Sequence, residues 1–259
     1  MTDAVTGEVR RGDESDAQLA GRLATEAGQL LVELRNELVK KRIMEWELKD
    51  AGDMASHHFL VDALTDARPA DSILSEEGRD DRRRLQAERV WIIDPLDGTN
   101  EYGEGRADWA VHVALWERGE LTAAAVSLPS FERTFVTDPP TPMMQLGNTP
   151  PRLVTSRFRA PYEAAIVAQA LGAQGLRLGS AGAKAMAVLL GEADLYVHAG
   201  GMYEWDSAAP AAVAMAAGLH ASRIDGTPLR YNQSDPWLPD FVVCRPELAE
   251  QVLEAIRRS

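Results

Sequence analysis

Asp94-Pro95-Leu96-Asp97-Gly98-Thr99 concentrates more chemistry than any other stretch of this sequence. The apolar run Val90-Trp91-Ile92-Ile93 leads straight into it, so Asp94 is expected at the C-terminal end of a strand buried on both faces, with Pro95 stiffening the exit. Asp97 then faces the same point as Asp94, and Gly98-Thr99 open a short helix whose first N–H groups offer a cradle for an anion. Taken alone, D-x-x-D is the ordinary capped turn, with Asp97 bonded to its own backbone and Gly98 supplying a positive φ. Glu76, in Leu74-Ser75-Glu76-Glu77-Gly78, follows another short strand, and Asp206, in Trp205-Asp206-Ser207, opens an Ala-rich helix; singly they read as a solvated strand end and an N-cap.

The conjunction matters more than any member. If Glu76, Asp94, Asp97 and Asp206 converge, ionised carboxylates about 4 Å apart repel by roughly 4 kcal/mol per pair at an effective dielectric of about 20. Cations must then neutralise them. Hard oxygen ligands without cysteine or clustered histidine select Mg2+ or Mn2+ over zinc, and two such ions beside helix starts form a clamp for phosphoryl transfer to water.

The elements that must position these residues are legible in part. Leu19, Leu23, Ala27, Leu30, Leu31, Leu34 and Leu38 recur at helical spacing after a polar tail over 1–14, and a second helical pattern covers Ala55 to Leu64. Strands are expected at Ser72–Leu74, Val90–Ile93, Ala110–Trp116, Leu121–Leu128 and Thr134–Thr137, as an antiparallel meander. The proline-rich segment 139–151 marks a boundary or surface loop between a first half, 15–145, and a second, 152–259, the two forming one catalytic unit. In the second half, strands at Arg152–Thr155, Asp194–His198 and Phe241–Cys244 alternate with helices near 161–172, 182–190 and Ser207–Ala217, and a helix opens at Pro246. His57-His58, His112, His198 and His220 read as structural, Trp91, Trp109 and Trp116 as core, and Arg82-Arg83-Arg84 as a solvated helix start. Arg230-Tyr231-Asn232 either reaches a ligand or closes a turn.

Composition excludes several classes. The 259 residues are 45% hydrophobic and 26% charged, which is neither collagen, coiled coil nor wholesale disorder. A net charge of −13 disfavours stable partnership with nucleic acid or anionic lipid. The single cysteine, Cys244, precludes an intramolecular disulfide and a thiolate zinc site and fits a reducing compartment. No apolar run approaches the ~18–20 residues that span a bilayer, so a cytoplasmic protein with no membrane partner is expected.

Leu74-Ser75-Glu76-Glu77, Ile92-Ile93-Asp94-Pro95-Leu96-Asp97-Gly98-Thr99 and Trp205-Asp206-Ser207-Ala208-Ala209, in this order, resemble the signature segments of the lithium-sensitive, magnesium-dependent inositol monophosphatase superfamily. Gly179-Ser180-Ala181-Gly182-Ala183-Lys184, the stretch Gly191–His198 and Glu204-Trp205-Asp206 are similar to its CysQ branch, the 3′(2′),5′-bisphosphate nucleotidases. The resemblance implies an α/β (α+β) fold, a layered αβαβα sandwich of the inositol monophosphatase and fructose-1,6-bisphosphatase type. It implies Glu76, Asp94 and the Leu96 carbonyl at one Mg2+, Asp94, Asp97 and Asp206 at a second, and Glu76 with waters at a third. It further implies that Thr99, with Asp53 as acidic partner, positions the attacking water, that Gly98 and Thr99 amides hold the phosphate, and that Ser180 and Lys184 contact the nucleotide. Glu47-Leu48-Lys49-Asp50-Ala51-Gly52 stands before Asp53 where the family has a Ser-Pro-Val-Thr-like segment. Ala199 stands where inositol monophosphatases place a sugar-binding Glu, which counts against inositol phosphate. The implied reaction is hydrolysis of the 3′-phosphate of 3′-phosphoadenosine 5′-phosphate, or of its sulfated form, in sulfate assimilation, by a monomer or homodimer. The rivals are an inositol-1-phosphate or fructose-1,6-bisphosphate phosphatase, and a non-catalytic RNA- or transcription-binding protein of the same fold.

Overall fold

The computed structural model describes residues 14–144 and 149–258. The expected polar tail lies outside them except for Glu14, whose carboxylate pairs with Arg22 at 2.8 Å. Helix α1 (Asp16–Lys40) begins at a reciprocal cap, in which the Ser15 hydroxyl accepts from the Gln18 amide and the Gln18 side chain accepts from the Ser15 amide. Helix α2 (Glu45–Ala67) starts well before Ala55, because its buried stripe is Leu48, Gly52, Ser56, Leu60 and Leu64. Glycine and serine hide that stripe from a search for apolar periodicity.

Sheet one runs β1 (Ser72–Ser75), β2 (Arg89–Asp97), β3 (Ala110–Glu117), β4 (Glu120–Leu128) and β5 (Arg133–Val136), in that spatial order. It is not wholly a meander: β1 lies parallel to β2, with Ser72 beside Val90, and the rest is antiparallel. Helix α3 (Thr99–Gly103) leaves the end of β2. The second half supplies β6 (Arg152–Ser156), α4 (Tyr162–Leu171), β7 (Gln174–Leu178), α5 (Ala181–Leu189), β8 (Leu195–Tyr203), α6 (Glu204–Ala216), β9 (His220–Ser222), β10 (Trp237–Cys244) and α7 (Ala249–Arg257). Pro246 opens a 3-10 turn, and α7 follows it. Sheet two is ordered β7-β6-β8-β10-β9, and neither β7 nor β9 was expected from the sequence.

Strand alternation sorts the apolar residues into layers. On sheet one, Trp91, Ile93, Val111, Val113 and Leu115 pack against α1 and α2. The opposite face, Val90, Ile92, Ala110, Ala114, Ala124 and Val126, shares one core with α5, α6 and the Tyr196, Phe241 and Val243 face of sheet two. Leu195, Val197, Val242 and Cys244 face outward against α4 and α7. The molecule is therefore a five-layer αβαβα sandwich, as expected. Arg84 departs from the sequence reading: its side chain is fully buried, not solvated.

Candidate active site

Asp94 and Asp97 lie on one strand, where residues three apart point to opposite faces. An irregularity cancels this: Asp94 is registered with His112 and Asp97 with Ala110, so three steps on β2 match two on β3. Both carboxylates thereby turn to the edge of the central helical layer, and both are buried. The α6 residue Asp206 joins them from the second half. One carboxylate oxygen from each of Asp94, Asp97 and Asp206 lies within 4.8 Å of the others.

The backbone holds this cluster open. Asp94 Oδ1 accepts from the Leu96 amide at 3.1 Å, while the buried Oδ2 has no hydrogen-bond partner among the described residues. Asp97 Oδ2 accepts from the Gly182 amide at 2.7 Å, and His112 Nε2 stands 3.2 Å from the same oxygen. Asp206 is the third residue of α6 and reaches back to accept from the Tyr203 amide at 2.6 Å, so α6 begins three residues before the expected Ser207. Glu76 lies outside the trio, yet its carboxyl approaches Asp94 and faces Asp206 and Asp97.

Burial and mutual repulsion dominate the electrostatics. Burial, then Glu76, Asp97 and Asp206, push the Asp94 carboxyl well above the usual carboxylate range. Burial and Asp206 raise Glu76 to about 8, and burial and Asp97 raise Asp206 to about 6. Burial works against Asp97 as well, but His112, Lys184 and the Gly182 amide outweigh it and hold Asp97 low. One carboxylate held low among three that are raised, with the buried Asp94 Oδ2 unpartnered among the described residues, fits a divalent cation bound by oxygen.

Beside the trio, Gly98 holds φ +93 and leads into α3. A Cβ there would sit 3.0 Å from that of Ser180 and 3.3 Å from Trp109, so glycine is required twice over. The Thr99 hydroxyl lies 3.1 Å from the Leu96 carbonyl and 3.2 Å from Asp53 Oδ1. Burial, then the charge of Glu77, raises Asp53 to about 7.

Ser180 caps α5, its hydroxyl accepting from the Ala183 amide at 2.8 Å. Lys184 is buried, with Nζ donating to the carbonyls of Gly179 and Ser180. Burial lowers it to about 8. The structure thus brings Glu76, Asp94, Leu96, Asp97, Gly98, Thr99, Asp53 and Asp206 together, while Lys184 lies beneath the α5 N-terminus as a buried cation facing Asp97 and Asp206.

Two features were missed in the sequence. His112 is no isolated structural residue: it touches Asp97, and its Nδ1 stands 3.1 Å from the Trp205 carbonyl. Ala110, His112 and Ala114 share one face of β3, but nothing in their spacing sets His112 opposite Asp94. Arg157 bridges Glu101 at 3.1 Å and Asp108 at 2.6 Å, and Asp108 accepts from the Gly179 amide at 2.7 Å, which ties the loop before Ser180 to α3.

The model of the inositol monophosphatase family matches residues 13–259. The chain belongs to that family. A 3′-phosphoadenosine 5′-phosphate phosphatase of Mycobacterium leprae is 50% identical over 256 residues, 94% of each chain. The 3′(2′),5′-bisphosphate nucleotidase CysQ of Escherichia coli K12 is 33% identical over 208 residues, 74% of this chain and 83% of that one. The crystal structure of CysQ from Bacteroides thetaiotaomicron superposes with a TM-score of 0.76 at 23% identity, covering 90% of this chain and 97% of that one, and shares the fold. With this family and these relatives, the chain is a phosphatase. Among the described residues, no helix is long and apolar enough to cross a membrane.

Proposed function

We propose that this phosphatase removes the 3′-phosphate of 3′-phosphoadenosine 5′-phosphate, yielding AMP and inorganic phosphate, with Mg2+ as its cofactor and a place in sulfate assimilation. The observation that carries it is the trio of buried Asp94 and Asp97 with half-buried Asp206 beside Gly98-Thr99, in a chain half identical to a phosphatase named for that nucleotide.

Asp94, Asp97 and Asp206 would hold one ion, and Glu76, Asp94 and the Leu96 carbonyl another. Bound there, divalent cations neutralise the carboxylates and supply Lewis acidity toward the phosphate. The chain's own residues do the rest. The first α3 amides, which no earlier turn satisfies, orient the phosphate oxygens at Gly98 and Thr99. Asp53, poised near neutrality, takes a proton from the attacking water through the Thr99 hydroxyl. Water oxygen bonds to phosphorus, the ester bond to O3′ breaks, and O3′ leaves to be protonated by solvent. Lys184, committed to backbone carbonyls, acts as a fixed positive charge behind Asp97 and Asp206.

Phosphate release by the purified protein from 3′-phosphoadenosine 5′-phosphate, inositol 1-phosphate and fructose 1,6-bisphosphate, each with Mg2+ and with EDTA, tests this. The nucleotide is expected to be turned over fastest, and EDTA to stop release. Asp94→Asn is expected to abolish turnover with an unchanged circular dichroism spectrum. Preference for a sugar phosphate would overturn the substrate, and undiminished rates in EDTA or in Asp94→Asn would overturn the metal site.

A further inference from the structure

Arg84 lies in the short 3-10 helix Arg82–Gln86, in the segment that follows Glu76. Its guanidinium is buried and bonded in three directions. Nε and Nη2 donate to Asp80 Oδ1 and Oδ2 at 2.7 and 3.1 Å, Nη1 donates to Asn232 Oδ1 at 2.7 Å, and Nη2 also donates to the Gln233 carbonyl at 2.9 Å. Asn232 Nδ2 returns a bond to the Arg84 carbonyl at 3.3 Å.

The chain of contacts continues to the first turn of α6. Asn232 holds φ +58, and the successive amides of Asn232 and Gln233 donate to the two oxygens of one carboxylate, Glu204, each at 2.7 Å. Glu204 is the first residue of α6, two before Asp206, and its own amide donates to the Pro236 carbonyl at 2.8 Å. Tyr231 adds a hydroxyl contact to Ser207 at 3.2 Å. Hydrogen bonds thus join Asp80, four residues after Glu76 in the first half, to Glu204, two residues before Asp206 in the second.

Burying a guanidinium is costly, and well-packed apolar side chains would fill the same space more cheaply. What they lack is a rigid planar fork that fixes several acceptors in one plane. We infer that Arg84 is a positioning residue for the metal site: through Asn232, Gln233 and Glu204 it sets the separation of Asp206 from Glu76. Arg84 itself touches neither ion nor substrate. The inference rests on the metal-dependent reading above and adds the device that keeps the cluster's two sides in register, where tolerances are about 0.5 Å.

Three variants separate positioning from stability. Arg84→Lys keeps the charge and loses the fork. Asn232→Gly keeps the positive φ and both amide bonds to Glu204 but loses the side-chain link to Arg84, and serves if Arg84→Lys does not fold. Arg89→Lys is the control, since Arg89 pairs with Asp71 and Asp16 at the opposite end of β2. Metal-free protein is titrated with Mg2+ in a calorimeter without substrate, and melting and turnover are followed in parallel. Arg84→Lys and Asn232→Gly are expected to need at least tenfold more Mg2+ for half-saturation, with kcat at saturating Mg2+ within about threefold of wild type. Arg89→Lys is expected to melt earlier with unchanged Mg2+ affinity. Wild-type Mg2+ affinity in both Arg84→Lys and Asn232→Gly would overturn the inference, whatever their melting temperatures. A wild-type protein that binds no Mg2+ would overturn the metal reading and the inference with it.

Discussion

In the proposed mechanism Asp53 and Thr99 handle the proton. Burial, then the charge of Glu77, raises the half-buried Asp53 carboxyl to about 7, and the hydrogen bond it accepts from Thr99 only partly offsets them. Only the ionised carboxylate can take a proton, so turnover should rise with pH along a limb at or below about 7, the added positive charge of bound cations moving it downward. Asp53→Asn is expected to flatten that limb and to lower kcat by about 10²-fold or more. A pH–rate profile at saturating substrate and Mg2+ checks this; an unchanged acid limb would remove Asp53 from the proton path. Asp94 to Thr99 were legible beforehand only in conjunction with Glu76 and Asp206, since their spacing alone reads as a capped turn. His112 was not, because its significance comes from a strand register opposite Asp94. Arg84 was misread because a run of three arginines looks solvated until the partner loop at 231–233 is in place.

At the level of elements, the site depends on how closely α5 lies against β3. A Cβ on Gly182 would fall 2.2 Å from His112 Nε2 and 3.0 Å from the Ala110 Cβ, so the helix can approach only as glycine. Gly182→Ala must push His112 away from Asp97 and move the amide that Asp97 accepts. A loss of about 1–3 kcal/mol is expected, as for other overpacked cores, together with at least tenfold slower turnover. Urea unfolding midpoints alongside rates would reveal it, and a variant as stable and active as wild type would show that α5 tolerates the shift. The elements that sequence revealed were those with uninterrupted apolar faces, such as β2 and α1. Strand β7 escaped because it is a largely exposed edge, and β9 because it is three residues long. The first turns of α2 escaped because Trp46, Glu47 and Asp50 are exposed around Leu48.

Over the whole molecule, the acidic cluster couples stability to pH. Glu76, Asp94 and Asp206 have raised carboxyls in the folded chain, so the native state binds more protons than the unfolded one between the ordinary carboxylate range of about 4 and their own values. The metal-free protein should therefore lose stability as pH climbs from about 4 through about 6 for Asp206 and about 8 for Glu76. Mg2+ should recover more melting temperature at pH 8 than at pH 5.5. Scanning calorimetry with EDTA and with Mg2+ at both values decides it, and an equal gain at the two would separate the cluster from the metal. The central layer of α5 and α6 has a consequence for biosynthesis. The sheet-one face of Val90, Ile92, Ala114, Ala124 and Val126 is covered by helices that come from the other half of the chain. A nascent polypeptide that has emerged only as far as the proline-rich segment carries that face bare. Splitting the gene there should give an insoluble first fragment, and co-expression of the second should rescue it.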